Sequence, residues 1–265
     1  MTREDTVTPR LVAEYRAAMG RCLHDPPGTD HCPPGLHWGL APAMPSYGDV
    51  GPDGAEAKGV FLPPIPLPRR MWAGGAIETL QPLRIGQHIQ RTSAVSDIKF
   101  REGGAGNLYL VSISHAISAA DGLLLRERQD LVFRGGAPKE VSAPQSPPPS
   151  EGVAWTVEPS PLLLFRFSAF TFNGHRIHYD APYAMEEGYS GLVVHGPLQA
   201  ALMLNLASFA MGEVPRRFEY RCVAPLFGGH PFTVRRDAGT SPLATRILRH
   251  DGVTTAIGQA RARET

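Results

Sequence analysis

The sequence predicts an α+β fold in which two antiparallel sheets each wrap around a central helix and join edge to edge. Three observations point there. The latter part of each half of the chain reads as a run of alternating strands. The motif PLRIG at Pro82–Gly86 recurs as PLFGG at Pro225–Gly229, each time just ahead of a strand. One long apolar segment, Gly191–Met211, carries helical spacing. Duplication of a unit of about 130 residues is the simplest account, and joining the two sheets leaves no long edge open.

In the first half, strands are expected at 76–83, 88–98, 108–119 and 123–133; in the second, at 218–224, 232–236, 243–248 and 253–262. The pairs Asp121-Gly122 and Asp251-Gly252 mark tight hairpin turns. Segment 191–211 is long enough to cross a bilayer, but it carries His195, Pro197, Gln199 and Asn205 and lacks a basic flank, so it reads as a buried helix. Pro197 suits the first turn, where its missing N–H costs nothing, and Leu198, Ala201, Leu202, Asn205 and Leu206 follow at helical spacing. The first half offers only the proline-interrupted PPGLHWGLAPAMPSYG, residues 33–48, at the corresponding place. Between the halves, Gly135–Gly152 is rich in Pro, Ser and Ala and reads as a solvated linker. The expected division is a degenerate N-terminal unit over 1–136, a linker over 137–152 and a C-terminal unit carrying the chemistry over 153–265.

Composition narrows the function. A net charge of +1, from 26 basic and 25 acidic residues, gives no electrostatic case for nucleic acid or an anionic membrane, and leaves a small molecule as the expected partner. Three cysteines form no disulfide framework, and the charged N-terminus MTREDTVTPR has no signal-peptide core, so a cytoplasmic location is expected. The stretch Cys22–Cys32 (CLHDPPGTDHC) has two Cys and two His at spacings that match no usual zinc pattern, and no metal is expected. The absence of a Gly-rich nucleotide fingerprint after a strand, and of a G-x-S-x-G elbow, disfavours a dehydrogenase or a serine hydrolase.

Chemistry concentrates in FTFNGHRIHYD, Phe170–Asp180, read as an aromatic-rich strand end holding Asn173, His175 and His178. The surrounding stretch, FRFSAFTFNGHRIHYDAPYAMEEGYSGLVVHGPLQAALM at Phe165–Met203, resembles the signature of MaoC-type double hot-dog hydratases and dehydratases. Together with LPPIPLPRRMWAGG at Leu62–Gly75, it is similar to the branch with a fatty-acid-synthase-like N-terminal dehydratase domain. That branch includes type 2 hydroxyacyl-thioester dehydratases and the hydratases of mesaconyl-CoA and itaconyl-CoA. In the wider family the motif runs Asp, any residue, Asn, Pro, apolar, His. Laid on this chain, the aspartate falls on Asn173, the asparagine on His175, the proline on Arg176 and the catalytic histidine on His178.

The resemblance implies a double hot-dog fold and a cytoplasmic hydro-lyase, monomeric or homodimeric. It would add or remove water across an α,β-unsaturated acyl thioester, with coenzyme A as part of the substrate and no separate cofactor. It points to a branched C5 dicarboxylic acyl group such as itaconyl or mesaconyl. A 3-hydroxyacyl-thioester dehydratase of fatty-acid synthesis, a hot-dog thioesterase and a catalytically silent acyl-CoA binding protein are the alternatives. Hydration needs a base for the water, a proton for the α-carbon and stabilisation of an enolate-like oxygen. His178 is expected to supply the first two, and Asn173 to hold the water through one donor and one acceptor. His195 and Gly196, opening the long helix, would offer backbone N–H groups to the oxyanion, with Gly196 leaving room for the thioester carbonyl. His195 itself otherwise reads as a cap, and His175 as an exposed neighbour rather than a second-layer partner. Asp180 and Glu187 read as solvated acids, with replacement of the missing aspartate as the other reading. Arg69, Arg70 and Trp72, placed in a proline-rich loop, together with Arg176, Arg216 and Arg217, are the candidates for holding substrate carboxylate or coenzyme A phosphates. The N-terminal half is expected to bind without contributing to acid/base chemistry.

Overall fold

The computed structural model describes residues 1–102, 106–136 and 152–263. Its strands, in chain order, are β1 (Thr2–Thr6), β2 (Arg69–Thr79), β3 (His88–Arg101), β4 (Leu108–Ala119), β5 (Gly122–Arg134), β6 (Ala154–Val157), β7 (Arg217–Cys222), β8 (Phe232–Arg236), β9 (Leu243–Leu248) and β10 (Thr254–Arg261). They form one continuous antiparallel sheet in the order β1-β3-β4-β5-β2-β7-β10-β9-β8-β6. The two expected sheets are therefore halves of one, joined where β2 runs against β7 from Gly74↔Arg221 to Glu78↔Arg217. Arg216 secures that seam: its guanidinium donates to the Glu78 carboxylate at 2.9 Å and to the Thr79 carbonyl at 3.0 Å. Residues 137–151, most of the expected linker, lie outside the described residues.

Four helices accompany the sheet: α1 (Pro9–Met19), α2 (Pro161–Thr171), α3 (Ala181–Glu186) and α4 (Gly196–Met211). Each has a proline in its first turn, and the first three are capped by the side chains of Thr8, Ser160 and Asp180. α1, α2, α3, β1 and β6 are additions to the sequence reading. α2 also corrects it. The aromatic stretch before Asn173 is helical, and it stops where Phe172 enters the left-handed region at φ 51°, so 173–178 is a loop with one 3-10 turn at Arg176–His178, not a strand end. β2 likewise begins at Arg69, which places Arg69, Arg70 and Trp72 on a strand instead of a loop.

α4 fills the concavity of the second half, packed on β8, β9 and β10 and buried from Pro197 to Ser208. The first half has no counterpart. Pro33, Pro34, Pro42 and Pro45 interrupt the segment, and in place of a long helix it has a 3-10 turn, Leu36–Gly39, with all four residues buried, and the start of a second, unburied one at Tyr47–Asp49. The hot-dog pair is thus asymmetric. The vacated space is part of a cavity of about 1080 Å³ whose walls come from both halves. Among the described residues no helix is long and apolar enough to cross a membrane.

The two halves are pinned through Asn205, fully buried on α4. Its amide donates to the carbonyls of Pro34 and Ala201 and towards Tyr15 Oη, while its Oδ1 accepts the His24 N–H at 2.9 Å. Asn205→Leu keeps the branched outline, with slightly more bulk, but strands the Pro34 carbonyl and the His24 N–H. The expected loss is about 2–4 kcal/mol of stability, read as a lower urea midpoint with an unchanged slope.

Candidate active site

α2 ends and α4 begins beside one another, and the loop between them brings three histidines together. His178 is 6% exposed and its ring lies 3.6 Å, centroid to centroid, from the fully buried ring of His195, stacked at 18°. His175 stands edge-on to His178 at 5.6 Å. The Val193 carbonyl accepts a hydrogen bond from His178 Nδ1 at 2.7 Å. A carbonyl can only accept, so Nδ1 carries the proton and Nε2 keeps the lone pair in the neutral ring. Nε2 has no hydrogen-bond partner among the described residues, and His178 lines the cavity. Burial, with a smaller contribution from His175, pushes the His178 pKa down to about 3 against the opposing Val193 bond. Its surroundings therefore hold His178 neutral, in the form that accepts a proton.

His195 occupies the N-cap position of α4, as expected, but makes no side-chain capping bond there and does not line the cavity. Its Nε2 meets Ser168 Oγ at 2.8 Å and its Nδ1 has no partner among the described residues, so it is a neutral slab that fixes the plane of His178. Gly196 does line the cavity, but its missing side chain is not open room: a Cβ there would lie 2.8 Å from the Trp72 Cβ. Trp72, anchored by a 3.0 Å bond from Nε1 to Tyr220 Oη, takes that space. The Gly196 N–H has no acceptor among the described residues, and so remains an available donor at the N-terminus of α4.

Asn173 lines the cavity with one amide function already in use, since its Oδ1 accepts the His175 N–H at 3.0 Å in a local turn. It can donate through Nδ2; the expected acceptor is committed. His175 is not a surface residue. Its side chain is 13% exposed, and burial pushes its pKa down to about 4 in spite of a carboxylate nearby. That carboxylate is Asp53, from the N-terminal half, 3.9 Å from His175 Nε2 and held by a two-pronged bond from Arg70. The Asp53 carbonyl accepts the Arg176 N–H at 2.8 Å, and Gly54 at φ +81° meets Gly174 so closely that a Cβ on it would sit 2.1 Å from the Gly174 oxygen. The N-terminal half thus reaches into the histidine loop. Asp53 was missed because nothing local marks it.

The remaining candidates are occupied elsewhere. Asp180 caps α3 and pairs with Arg176, which also lies over the Tyr183 ring at 4.1 Å, and Glu187 pairs with Arg69. Neither acid replaces the absent aspartate. Arg216 serves the seam and Arg217 pairs with Glu219. Of the six residues expected to hold substrate, Arg70 and Trp72 line the cavity; Arg69, Arg176, Arg216 and Arg217 do not. Among the described residues no three His, Cys, Asp or Glu side chains cluster as metal ligands.

The family model for hydroxyacyl-thioester dehydratase type 2 matches residues 35–228. The chain is 45% identical over 203 residues to the mesaconyl-C(4)-CoA hydratase of Chloroflexus aurantiacus, which covers 76% of this chain and 72% of that protein. It is 35% identical over 111 residues to the mitochondrial hydroxyacyl-thioester dehydratase type 2 of Schizosaccharomyces pombe, covering 40% of this chain and 34% of the other. Among solved structures, HtdX of Mycobacterium tuberculosis superposes over 99% of both chains with a TM-score of 0.70 at 14% identity, a likeness of fold.

Burying neutral imidazoles ties stability to pH. His37, His175 and His178 have folded pKa values of about 4, 4 and 3, and that of His195 is lowered well below its ordinary value, all chiefly by burial. The unfolded chain, with histidines near ~6.5, binds more protons below that pH. Stability should be at its plateau above about pH 7 and fall steadily as pH drops towards 4. Urea midpoints measured from pH 8 to 4.5 will show that slope; a midpoint independent of pH would contradict the buried neutral state.

Proposed function

The chain belongs to the hydroxyacyl-thioester dehydratase type 2 family, and we propose that it hydrates the double bond of a short, branched dicarboxylic enoyl-CoA of the mesaconyl-C4 or itaconyl kind. It is a hydro-lyase. The observation that carries the reading is His178: a neutral imidazole with its tautomer fixed by Val193 and its Nε2 free, in a cavity that also receives the N-terminus of α4.

In the forward direction, Nε2 of His178 takes a proton from water as the water oxygen bonds to the β-carbon. The electron pair of the double bond moves to the thioester oxygen, which the Gly196 N–H and the positive end of α4 stabilise. His178 then returns the proton to the α-carbon, so one water is consumed and the catalyst is restored. The forming oxyanion supplies a counter-charge to the protonated ring. Asn173 Nδ2 orients the water. Asp53 acts through His175, setting the charge beside His178.

A second reading, dehydration of a longer 3-hydroxyacyl thioester, draws support from the cavity, whose volume of about 1080 Å³ exceeds what a five-carbon acyl group fills. Incubation with a panel of enoyl thioesters, followed by mass spectrometry for the gain of one water, separates the two by chain length. Release of free thiol without that gain would mean a thioesterase and end both readings.

His178→Ala should remain folded and lose about 10² to 10⁴ in hydration rate, the usual contribution of a positioned general acid/base. With a base of pKa about 3, the parent kcat/KM should show no acid limb between pH 5 and 8. An inflection near pH 6 in that profile would remove His178 from the role of base in its observed environment.

A further inference from the structure

The two repeats use the same surface differently. Counting from Pro82 and Pro225, Ile89 and Arg91 of β3 fall opposite Phe232 and Val234 of β8. In the second half Val234, Ile247 and Ala256 form one cross-strand rung, fully buried on the sheet that α4 packs against. In the first half the rung at the same count is Arg91, Ile117 and Leu125, and the next one along, Ser93, His115 and Glu127 with Gln129 beside it, is polar and buried on all three strands. Curling a sheet does not call for polar residues there, since burying them costs free energy unless each finds a partner. Arg91, Ser93, His115 and Gln129 all line the cavity, and Glu127 lies enclosed behind them.

The charges at this wall are unbalanced. β1 sets Arg3 directly across from Arg91, and both line the cavity. Like charges opposite one another on a sheet destabilise it. Arg91 has Glu127 Oε2 at 3.6 Å and bonds the Leu40 carbonyl; Arg3 makes no ion pair among the described residues. The Glu127 carboxylate already accepts from Trp38 Nε1 at 2.8 Å and faces His37 Nε2 at 3.8 Å, and that of Asp5, two residues beyond Arg3 on β1, accepts the Ala41 N–H at 2.8 Å. The acids nearest the two guanidiniums are thus engaged elsewhere as well.

The hydrogen bonds point the same way. Ser93 Oγ lies 2.7 Å from His115 Nδ1, and His115 Nε2 lies 3.1 Å from Gln129 Oε1. With His115 neutral, Nε2–H donates to the glutamine oxygen and Nδ1 accepts from the serine. The chain ends on the Gln129 amide nitrogen, whose hydrogens have no acceptor among the described residues. The wall thus presents two guanidiniums and one amide N–H group to the cavity.

We propose that Arg3, Arg91 and Gln129 form an anion subsite for a carboxylate on the acyl group, through which the N-terminal half selects dicarboxylic enoyl thioesters. The subsite rests on the hydratase reading above and names the residues that set its substrate class. A phosphate of the coenzyme offers similar oxygens. The wall, with Arg91 11% and Ser93 4% exposed, is closed enough to favour a planar carboxylate inside the cavity over a bulky, strongly hydrated phosphate.

The test compares mesaconyl-C4 and crotonyl thioesters, each as the coenzyme A and as the N-acetylcysteamine form, which has no phosphate. In Arg91→Met the ratio of kcat/KM for the dicarboxylic over the uncharged substrate should fall about 10- to 100-fold, equally in both thioester forms. Arg3→Met leaves the Arg91–Glu127 pair in place and should lower the same ratio by a smaller factor, so a folding defect in the first variant does not decide the matter. An unchanged ratio in both variants overturns the subsite. So does a loss that affects crotonyl-CoA equally and disappears with the N-acetylcysteamine forms, which would assign the arginines to phosphate. A parent chain with no turnover of the dicarboxylic substrate, but active on crotonyl-CoA, overturns the substrate reading beneath the subsite and the subsite with it.

Discussion

A curled antiparallel sheet has a concave face that must be covered, and how each half meets that constraint determines most of this molecule. The second half covers it with α4, a helix apolar almost all round and buried on every side. The first half has four prolines where its helix would be, covers part of its face with a 3-10 turn and leaves the rest to a cavity. Joining β2 to β7 brings two such surfaces together, so the space left open by one half is bounded by the histidine loop of the other.

The same enclosure governs the histidines. Three imidazoles within ring-contact distance cannot share protons cheaply in a low-dielectric setting, so burial and mutual repulsion keep them neutral together. Their roles separate by hydrogen bonding. Val193 leaves His178 with a free lone pair, Ser168 engages His195 behind it, and Asp53 faces His175 from across the domain seam. A carboxylate is therefore present near the reacting centre, although not at the position where the wider family's motif has one.

Much of this was legible in the sequence. Period-two alternation gave β3, β4, β5, β8 and β9 nearly to the residue, since half-buried strands have to alternate, and the helical spacing from Leu198 to Leu206 gave α4. α2 was misread for a physical reason: Phe165 and Phe167, then Phe170 and Phe172, are each two apart and imitate a strand face, while the Ser160-Pro161 cap that marks a helix start is a weaker signal. Family resemblance singled out His178 and Asn173, which both line the cavity, but not how they are placed. The burial of His175, the closeness of Asp53 and the polar wall around Arg91 all depend on segments far apart in the chain meeting after folding, and no local pattern encodes such a meeting.

The contact between Gly54 and Gly174 leaves no room for a side chain on either residue, so the two loops fit like a dovetail. The conformation of the histidine loop is consequently not a property of the C-terminal half alone. That half carries His175 and His178, yet the loop holding them is shaped by a neighbour that has no long helix of its own. The first half serves as the mould in which this loop is cast, and a side chain on either glycine would force the joint apart.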